Sequence, residues 1–200
     1  MSPEPNAMIS ALVASMADRT GRSLEQWIQL IRTDGPDPLD QKAVRSWLKT
    51  EHGLPQDTQF TVAHMAALDA GWVPPSTLQY VDQLYSGKKA VLRPLHDQVT
   101  DLILSLDTGD DGGQVSVEGR ATYIPFIRRT QFAAVAPGPY GRLRVGVRLR
   151  SEIPEVSGLE VEPAKNFAQA THWVHLSAEA TADDVAALKP LIRAAYEQNG

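Results

Sequence analysis

The chain of 200 residues contains no cysteine and no long apolar run. Without cysteine it has no disulfide, no thiol nucleophile and no zinc or iron–sulfur site held by thiolates. No apolar run approaches the roughly 20 residues that a membrane-spanning helix needs. Residues 1–6 also lack the basic and apolar regions of a secretion signal. These absences predict a cytoplasmic protein that does not enter a membrane.

Catalytic motifs are missing as well. The histidines show no His-Glu-x-x-His spacing, and the chain has neither a Gly-x-Ser-x-Gly elbow nor a dinucleotide-binding glycine pattern. The loop with Asp107, Asp110 and Asp111 lacks the full pattern of a calcium site. We therefore predict no catalytic residue, no metal ligand and no cofactor, and we expect a protein that is not an enzyme.

The first part of the chain, residues 7–72, is typical of short helices separated by glycine and proline. Ser23, with Gln26 three residues later, forms a capping box that opens one helix. Asp37 is placed as the N-cap of the next helix, which Gly53 ends. This part is expected to be all-α.

The segment 71–75, Gly-Trp-Val-Pro-Pro, interrupts the helical pattern and is the best candidate for a domain boundary. We predict a helical domain over residues 1–73 and a second domain over residues 76–200.

The second domain begins with helical spacing and then changes to the period of two that is typical of strands. The turns between these strands are too short for crossover helices, so the sheet should be antiparallel. A closing helix contains Pro190, which should kink it or divide it into two. The predicted fold class is α+β: an all-α N-terminal helical domain followed by an antiparallel β-sheet domain flanked by helices.

The clearest strand runs from residue 142 to residue 150, where arginines alternate with apolar residues. One face should pack into the core, and the other face carries four cations. The apolar set is Leu143, Val145, Val147 and Leu149, and the basic set is Arg142, Arg144, Arg148 and Arg150.

Two interpretations of this basic row remain open. Glu160 and Glu162 follow in another alternating segment. If that segment lies beside Arg148 and Arg150, each cross-strand ion pair contributes roughly 0.2 to 1 kcal/mol and the charge is neutralised. Alternatively the row stays open and binds an anion, since basic stripes are typical of nucleic-acid partners.

Residues 119–150 contain no acid, and Arg128 and Arg129 add to the positive charge of this region. The aromatic residues of the region that could stack on bases are Tyr123, Phe126 and Tyr140. A net charge of -5 for the whole chain means that any attraction for nucleic acid must be local.

Lys88 and Lys89 follow Gly87 at the start of a helix, where free backbone N–H groups favour anions. The flanking residues of a P-loop are absent, so an ordinary helix start is the alternative. His172 and His175 are three apart on a predicted strand and should point to opposite faces. His172 is the candidate functional histidine, and a structural histidine is the alternative.

Two groups of motifs resemble known families. Residues 20–27 and 47–54 resemble a small helical bacterial domain, domain of unknown function 4287. Residues 85–89, 92–95, 128–133, 171–172 and 195–197, together with Gly146 and Leu149, resemble domain of unknown function 5655. The resemblance implies two domains in a bacterial cytoplasmic protein, and it supplies no activity and no catalytic residue.

The sequence therefore favours a non-enzymatic binding or adaptor module that presents an arginine-rich sheet face to an anionic partner, either nucleic acid or an acidic protein. One alternative is a metal-dependent nuclease or hydrolase centred on Asp111 and Glu118, with Arg120 where such sites use lysine. Another is a scaffold whose arginines only pair with Glu160 and Glu162.

Overall fold

The computed structural model describes residues 13–106, 114–151, 153–156, 158–165 and 167–200. The chain divides into two compact units, Met1–Pro74 and Pro75–Gly200. The division falls inside the segment 71–75, where glycine and proline interrupt the helical pattern. Each unit is described by itself below.

The first unit consists of helices around a small apolar core. The helices are α1 (Met16–Thr20), α2 (Leu24–Asp34), α3 (Gln41–His52) and α4 (Gln56–Asp69). Trp27 and Ile31 of α2 pack with Val44 and Leu48 of α3, and each of these side chains is at most 2% exposed. Their spacing of three or four residues places them on one side of each helix, as the sequence pattern predicts.

Helix starts follow from local capping chemistry. Ser23 and Gln26 form the predicted capping box at the start of α2. The predicted start of α3 at Asp37 is wrong: the N-cap is Asp40, whose carboxylate accepts a hydrogen bond from the Ala43 N–H at 2.9 Å. The Asp37 carboxylate instead accepts a hydrogen bond from the Leu39 N–H and closes a tight turn. A side chain engaged in such a turn is not free to cap a helix.

The second unit combines helices with a six-stranded antiparallel sheet. Before the sheet come α5 (Thr77–Leu84), a 3₁₀ helix (Gly87–Leu92) and α6 (Arg93–Leu104). The strands are β1 (Ser116–Val117), β2 (Ile124–Ile127), β3 (Gln131–Pro137), β4 (Leu143–Val147), β5 (Val161–Pro163) and β6 (His172–Leu176). Two helices follow the sheet, α7 (Ala182–Ala186) and α8 (Lys189–Gln198), so the chain divides in front of Pro190 as expected.

The strand order is β1-β2-β3-β4-β6-β5. The first four strands form a meander, and β6 then lies between β4 and β5. Helices cover one face of the sheet, where Val145 of β4, Val135 of β3 and Ile192 of α8 share one core. The architecture is the predicted α+β class.

Candidate anion-binding surface

Strand β4 alternates between the core and the opposite face of the sheet. Leu143, Val145 and Val147 are fully buried against the helical layer. The arginine between Leu143 and Val145, Arg144, therefore points to the other face. The predicted alternation is confirmed, although the strand ends at Val147 instead of continuing to residue 150.

Arg144 is partly buried and has an aromatic partner. Its guanidinium carbon lies 4.2 Å from the centroid of the Trp173 ring on the neighbouring strand β6. Burial lowers the pKa of Arg144, but a guanidinium keeps its charge at neutral pH. Its Nε atom is buried and has no hydrogen-bond partner within the described part of the chain. Arg144 is thus a partly desolvated cation.

Arg142 lies at the tip of the β3–β4 hairpin, next to an exposed ring. Its guanidinium carbon is 5.8 Å from the centroid of Tyr140, whose side chain is 93% exposed. Tyr140 has φ 59° and ψ 30°, a left-handed conformation that is strained for a residue other than glycine. We call Tyr140, Arg142 and Arg144 the hairpin patch.

The hairpin patch is not neutralised by the glutamates that follow it. Strand β5, which carries Glu162, pairs with β6 and not with β4. Within the described ranges, the Glu162 carboxylate pairs with His175, and no ion pair joins Glu160 or Glu162 to an arginine. The expectation that segment 159–162 lies beside Arg148 and Arg150 is wrong, because β6 occupies that position.

Arg148 and Arg150 are bound internally, at the other end of β4. Arg148 donates a hydrogen bond to the carbonyl oxygen of Ala168. Arg150 donates to Asn199 Oδ1 at 3.1 Å and to Thr130 Oγ1 at 3.0 Å. These two arginines hold a loop and the end of α8 against the sheet, so the four predicted cations do not form one continuous row.

The remaining predicted basic residues lie elsewhere. Arg128 stacks on Tyr196 of α8 at 4.2 Å, and Arg129 is exposed in the turn between β2 and β3. Lys88 and Lys89 are exposed on the 3₁₀ helix of the helical layer. That helix has six residues and no side-chain cap, so its start offers little dipole for an anion. The structure does not bring these residues to the hairpin patch.

The two histidines of β6 point to opposite faces, as predicted. His172 pairs in register with Val147, and His175 pairs with Arg144. Nδ1 of His172 lies 2.9 Å from the hydroxyl of Thr171.

A metal site would need acidic and histidine side chains that lie close enough together to bind the ion. Within the described ranges, no three His, Asp or Glu side chains lie close enough to hold a metal ion. Glu118 bonds Arg120 at 2.7 Å, while Asp107, Asp110 and Asp111 lie outside the described residues. Over the same ranges, no helix is both long and apolar enough to cross a membrane.

One residue of this face was missed by the sequence interpretation. Trp173 covers Gly146 so closely that an added Cβ atom would lie 2.4 Å from the indole ring. A glycine in the middle of an alternating strand is a signal for such a close approach. Of the three aromatic residues considered for stacking, Phe126 is buried and Tyr123 packs on Phe167 at 5.1 Å, which leaves Tyr140.

Comparisons with known proteins agree with the two-unit division. The family model described as Domain of unknown function (DUF5655) matches residues 81–199, and the model described as Domain of unknown function (DUF4287) matches residues 9–65. No curated protein and no solved structure matches the chain. The first match covers more than half of the 200 residues and lies within the sheet unit. The chain therefore belongs to the Domain of unknown function (DUF5655) family and carries a Domain of unknown function (DUF4287) in front of it.

Proposed function

We propose that the protein is a non-enzymatic binding module whose sheet unit binds single-stranded nucleic acid at the hairpin patch. The observation that carries this proposal is the pairing of Arg142 and Arg144 with aromatic rings, and with no carboxylate among the described residues. The bacterial, cytoplasmic setting expected from the sequence belongs to the same proposal.

The first supporting argument is electrostatic. Removing a cation from water is costly unless an opposite charge or hydrogen bonds replace the lost hydration. Arg142 and Arg144 both bury their Nε atoms without a hydrogen-bond partner in the described ranges. A phosphate oxygen accepts hydrogen bonds from a guanidinium and neutralises its charge, so it is the kind of ligand that would offset this cost.

The second argument concerns the neighbouring acid. Glu162 is on β5, two strands from Arg144, and its carboxylate bonds Nε2 of His175, the residue that pairs with Arg144 in the sheet. Within the described ranges this carboxylate forms no ion pair with an arginine, so the guanidinium of Arg144 has no acidic partner there.

The third argument distinguishes nucleic acid from an acidic protein. Tyr140 exposes almost its whole ring and is held in a strained turn between Gly138 and Gly141. Strain of this kind costs about 1 to 3 kcal/mol and is concentrated at binding and catalytic sites. An exposed ring beside arginines offers a base both a stacking surface and a phosphate contact, which is how single strands are bound without sequence preference.

The test is a binding titration at several salt concentrations. The 200-residue chain is titrated against a dye-labelled single strand of about 15 thymidines, a length that covers one such site. For single strands, the slope of log K against log salt changes by about 0.7 for each phosphate contact. We expect Arg142→Ala and Arg144→Ala each to reduce the slope by about 0.7 and the double variant by about 1.4.

Arg193→Ala is the matched control, because Arg193 is exposed on α8 in the layer opposite the hairpin patch. It removes the same charge and should leave the slope unchanged. Tyr140→Ala should weaken binding with little change in slope, since stacking releases no counterion. The proposal would be overturned if the chain did not bind the strand, or if Arg193→Ala and Arg144→Ala reduced the salt slope equally.

A further inference from the structure

The helical unit contains a groove at the junction of α3 and α4. Helix α3 ends at His52, Gly53 takes a left-handed conformation with φ 62°, and α4 begins at Gln56 directly after Pro55. Only three residues join the two helices, so their ends diverge from a tight turn. The cavity between them has a volume of about 620 Å³. This lies within the range of roughly 300 to 1,000 Å³ that is usual for ligand sites.

The rim of the groove is positively charged. Arg45 and Lys49 lie one turn apart on α3 and both line the cavity, and none of its lining residues is acidic. Neither cation takes part in an ion pair within the described ranges. The adjacent acid, Asp57, bonds the guanidinium of Arg19 at 3.0 Å, and this hydrogen bond lowers the pKa of Asp57. Asp57 is therefore engaged with Arg19 and does not neutralise the rim.

The groove also presents two apolar side chains, Phe60 and Leu54, among its polar ones. Phe60 is 49% exposed, and the guanidinium carbon of Arg45 lies 4.2 Å from its ring centroid. Leu54 and the buried Gln59 also line the cavity. A large, half-exposed aromatic residue beside a cation is the composition found at the centres of protein-binding sites.

From this arrangement we infer that the groove binds an acidic peptide segment with an apolar side chain at its centre. The apolar side chain packs on Phe60 and Leu54, and flanking carboxylates bond Arg45 and Lys49. This site is independent of the hairpin patch and belongs to the other unit of the chain.

The charge of the unit argues against a nucleic acid in this groove. Residues 1–73 contain nine Asp or Glu and six Lys or Arg. An extended strand would have to place phosphates beside those acids outside the groove, where like charges repel. A short acidic peptide that ends within the groove contacts only the basic rim. Charge complementarity therefore favours the peptide over a nucleic-acid strand.

The experiment measures binding of a defined peptide to the 200-residue chain. The probe is a dye-labelled pentapeptide with a central phenylalanine and two glutamates on each side, followed by fluorescence anisotropy. We expect saturable binding that Lys49→Glu weakens by about tenfold or more, because the reversed charge repels the glutamates. Arg45→Gln should weaken binding too, through loss of the cation beside Phe60.

Lys42→Glu is the matched control. Lys42 is exposed on the same helix and does not line the groove, and the substitution changes the net charge by the same amount. We expect this variant to bind within about twofold of wild type. A second probe with lysine in place of each glutamate should not bind.

A mapping experiment distinguishes the groove from diffuse attraction. In amide NMR spectra, the peptide should shift the signals of Gly53, Leu54 and Phe60 most. The inference is overturned if the acidic peptide does not bind, or if Lys42→Glu and Lys49→Glu reduce its affinity equally. It is also overturned if the thymidine strand competes with the peptide for binding. The first two results leave the proposal for the hairpin patch unaffected. Competition would mean that the strand and the peptide share one site, and the effect of Arg144→Ala on strand binding shows whether that site is the hairpin patch.

Discussion

The carboxylate of Glu162 lies 2.7 Å from Nε2 of His175, on the strand next to Arg144. A carboxylate is an acceptor, so Nε2 of the histidine carries the proton in this contact. The pair forms because β6 lies between β4 and β5: Glu162 is opposite Trp173 in the register, and its carboxylate reaches His175, two residues further along β6. Glu162, the acid expected to neutralise the arginines, therefore bonds His175 instead. The arginines of the hairpin patch keep their positive charge.

Replacing Glu162 by glutamine tests this relationship. Because the carboxylate bonds His175 and forms no ion pair with Arg144, and because salt screens its charge, Glu162→Gln should change the affinity for the thymidine strand by less than about twofold. The measurement is the same anisotropy titration at physiological salt. A gain of tenfold would mean that Glu162 does neutralise the arginines, as the scaffold interpretation requires.

A second prediction concerns the contact between Gly146 and Trp173. A methyl group at Gly146 would lie 2.4 Å from the indole ring and 3.0 Å from the Cβ of Ala170, so neither side has room. Gly146→Ala should lower the free energy of unfolding by about 1 to 3 kcal/mol, the usual cost of an overfilled core. Urea denaturation measures this change.

The control for Gly146→Ala is a double-mutant cycle with Trp173→Phe. The atom closest to the added methyl belongs to the six-membered ring of the indole, which phenylalanine does not place there. The penalty of Gly146→Ala should therefore shrink in the Trp173→Phe background. An equal penalty in both backgrounds would place the strain in the backbone instead.

A third prediction concerns Asn199, which is 2% exposed. Its amide nitrogen donates to the carbonyl oxygens of Arg148 and Ala195, both at 2.8 Å, and its Oδ1 accepts from Arg150 and Thr130. Asn199→Ala leaves several of these groups without partners and should cost about 2 to 3 kcal/mol in urea denaturation. Glu197→Ala, an exposed change in the last turn of α8, should cost less than about 0.5 kcal/mol.

The elements that the sequence predicts well are those set by local chemistry. The capping box of Ser23 and Gln26, the division of the last helix at Pro190 and the burial of Leu143, Val145 and Val147 all follow from neighbouring residues. Each depends on groups within a few residues of one another, and for this reason one sequence suffices to find them.

The partners of the arginines could not be predicted in the same way. They depend on strand order, because β4 lies between β3 and β6, and β6 is 25 or more residues further along the chain. Arg144 meets Trp173 and Arg150 meets Asn199 across such separations. The segment of Glu160 and Glu162 comes first in sequence, so proximity along the chain suggested the wrong neighbour. Non-local pairing of this kind leaves no periodic signal.

The last prediction concerns the pH dependence of stability at His96. This side chain is 2% exposed, its ring lies 4.6 Å from that of Tyr85, and burial lowers its pKa to about 4. The nearby charges of Asp97 and Arg93 act on this pKa in opposite directions and have smaller effects than burial. In the unfolded chain a histidine has a pKa of about 6.5, so the unfolded state binds the proton first as the pH falls.

Folding stability should therefore be full above pH 6.5 and should decline as the pH falls toward 4. Between pH 7 and pH 5 the loss due to His96 is about 2 kcal/mol, since each pH unit below 6.5 contributes about 1.4 kcal/mol. Urea midpoints at the two pH values measure this loss.

The carboxylates with lowered pKa values, among them Asp57 and Asp184, are protonated only below pH 5, so their contribution to folding stability is lost only there. His96→Leu should remove about 2 kcal/mol of the pH dependence, and an unchanged dependence in this variant would show that His96 is protonated in the folded protein.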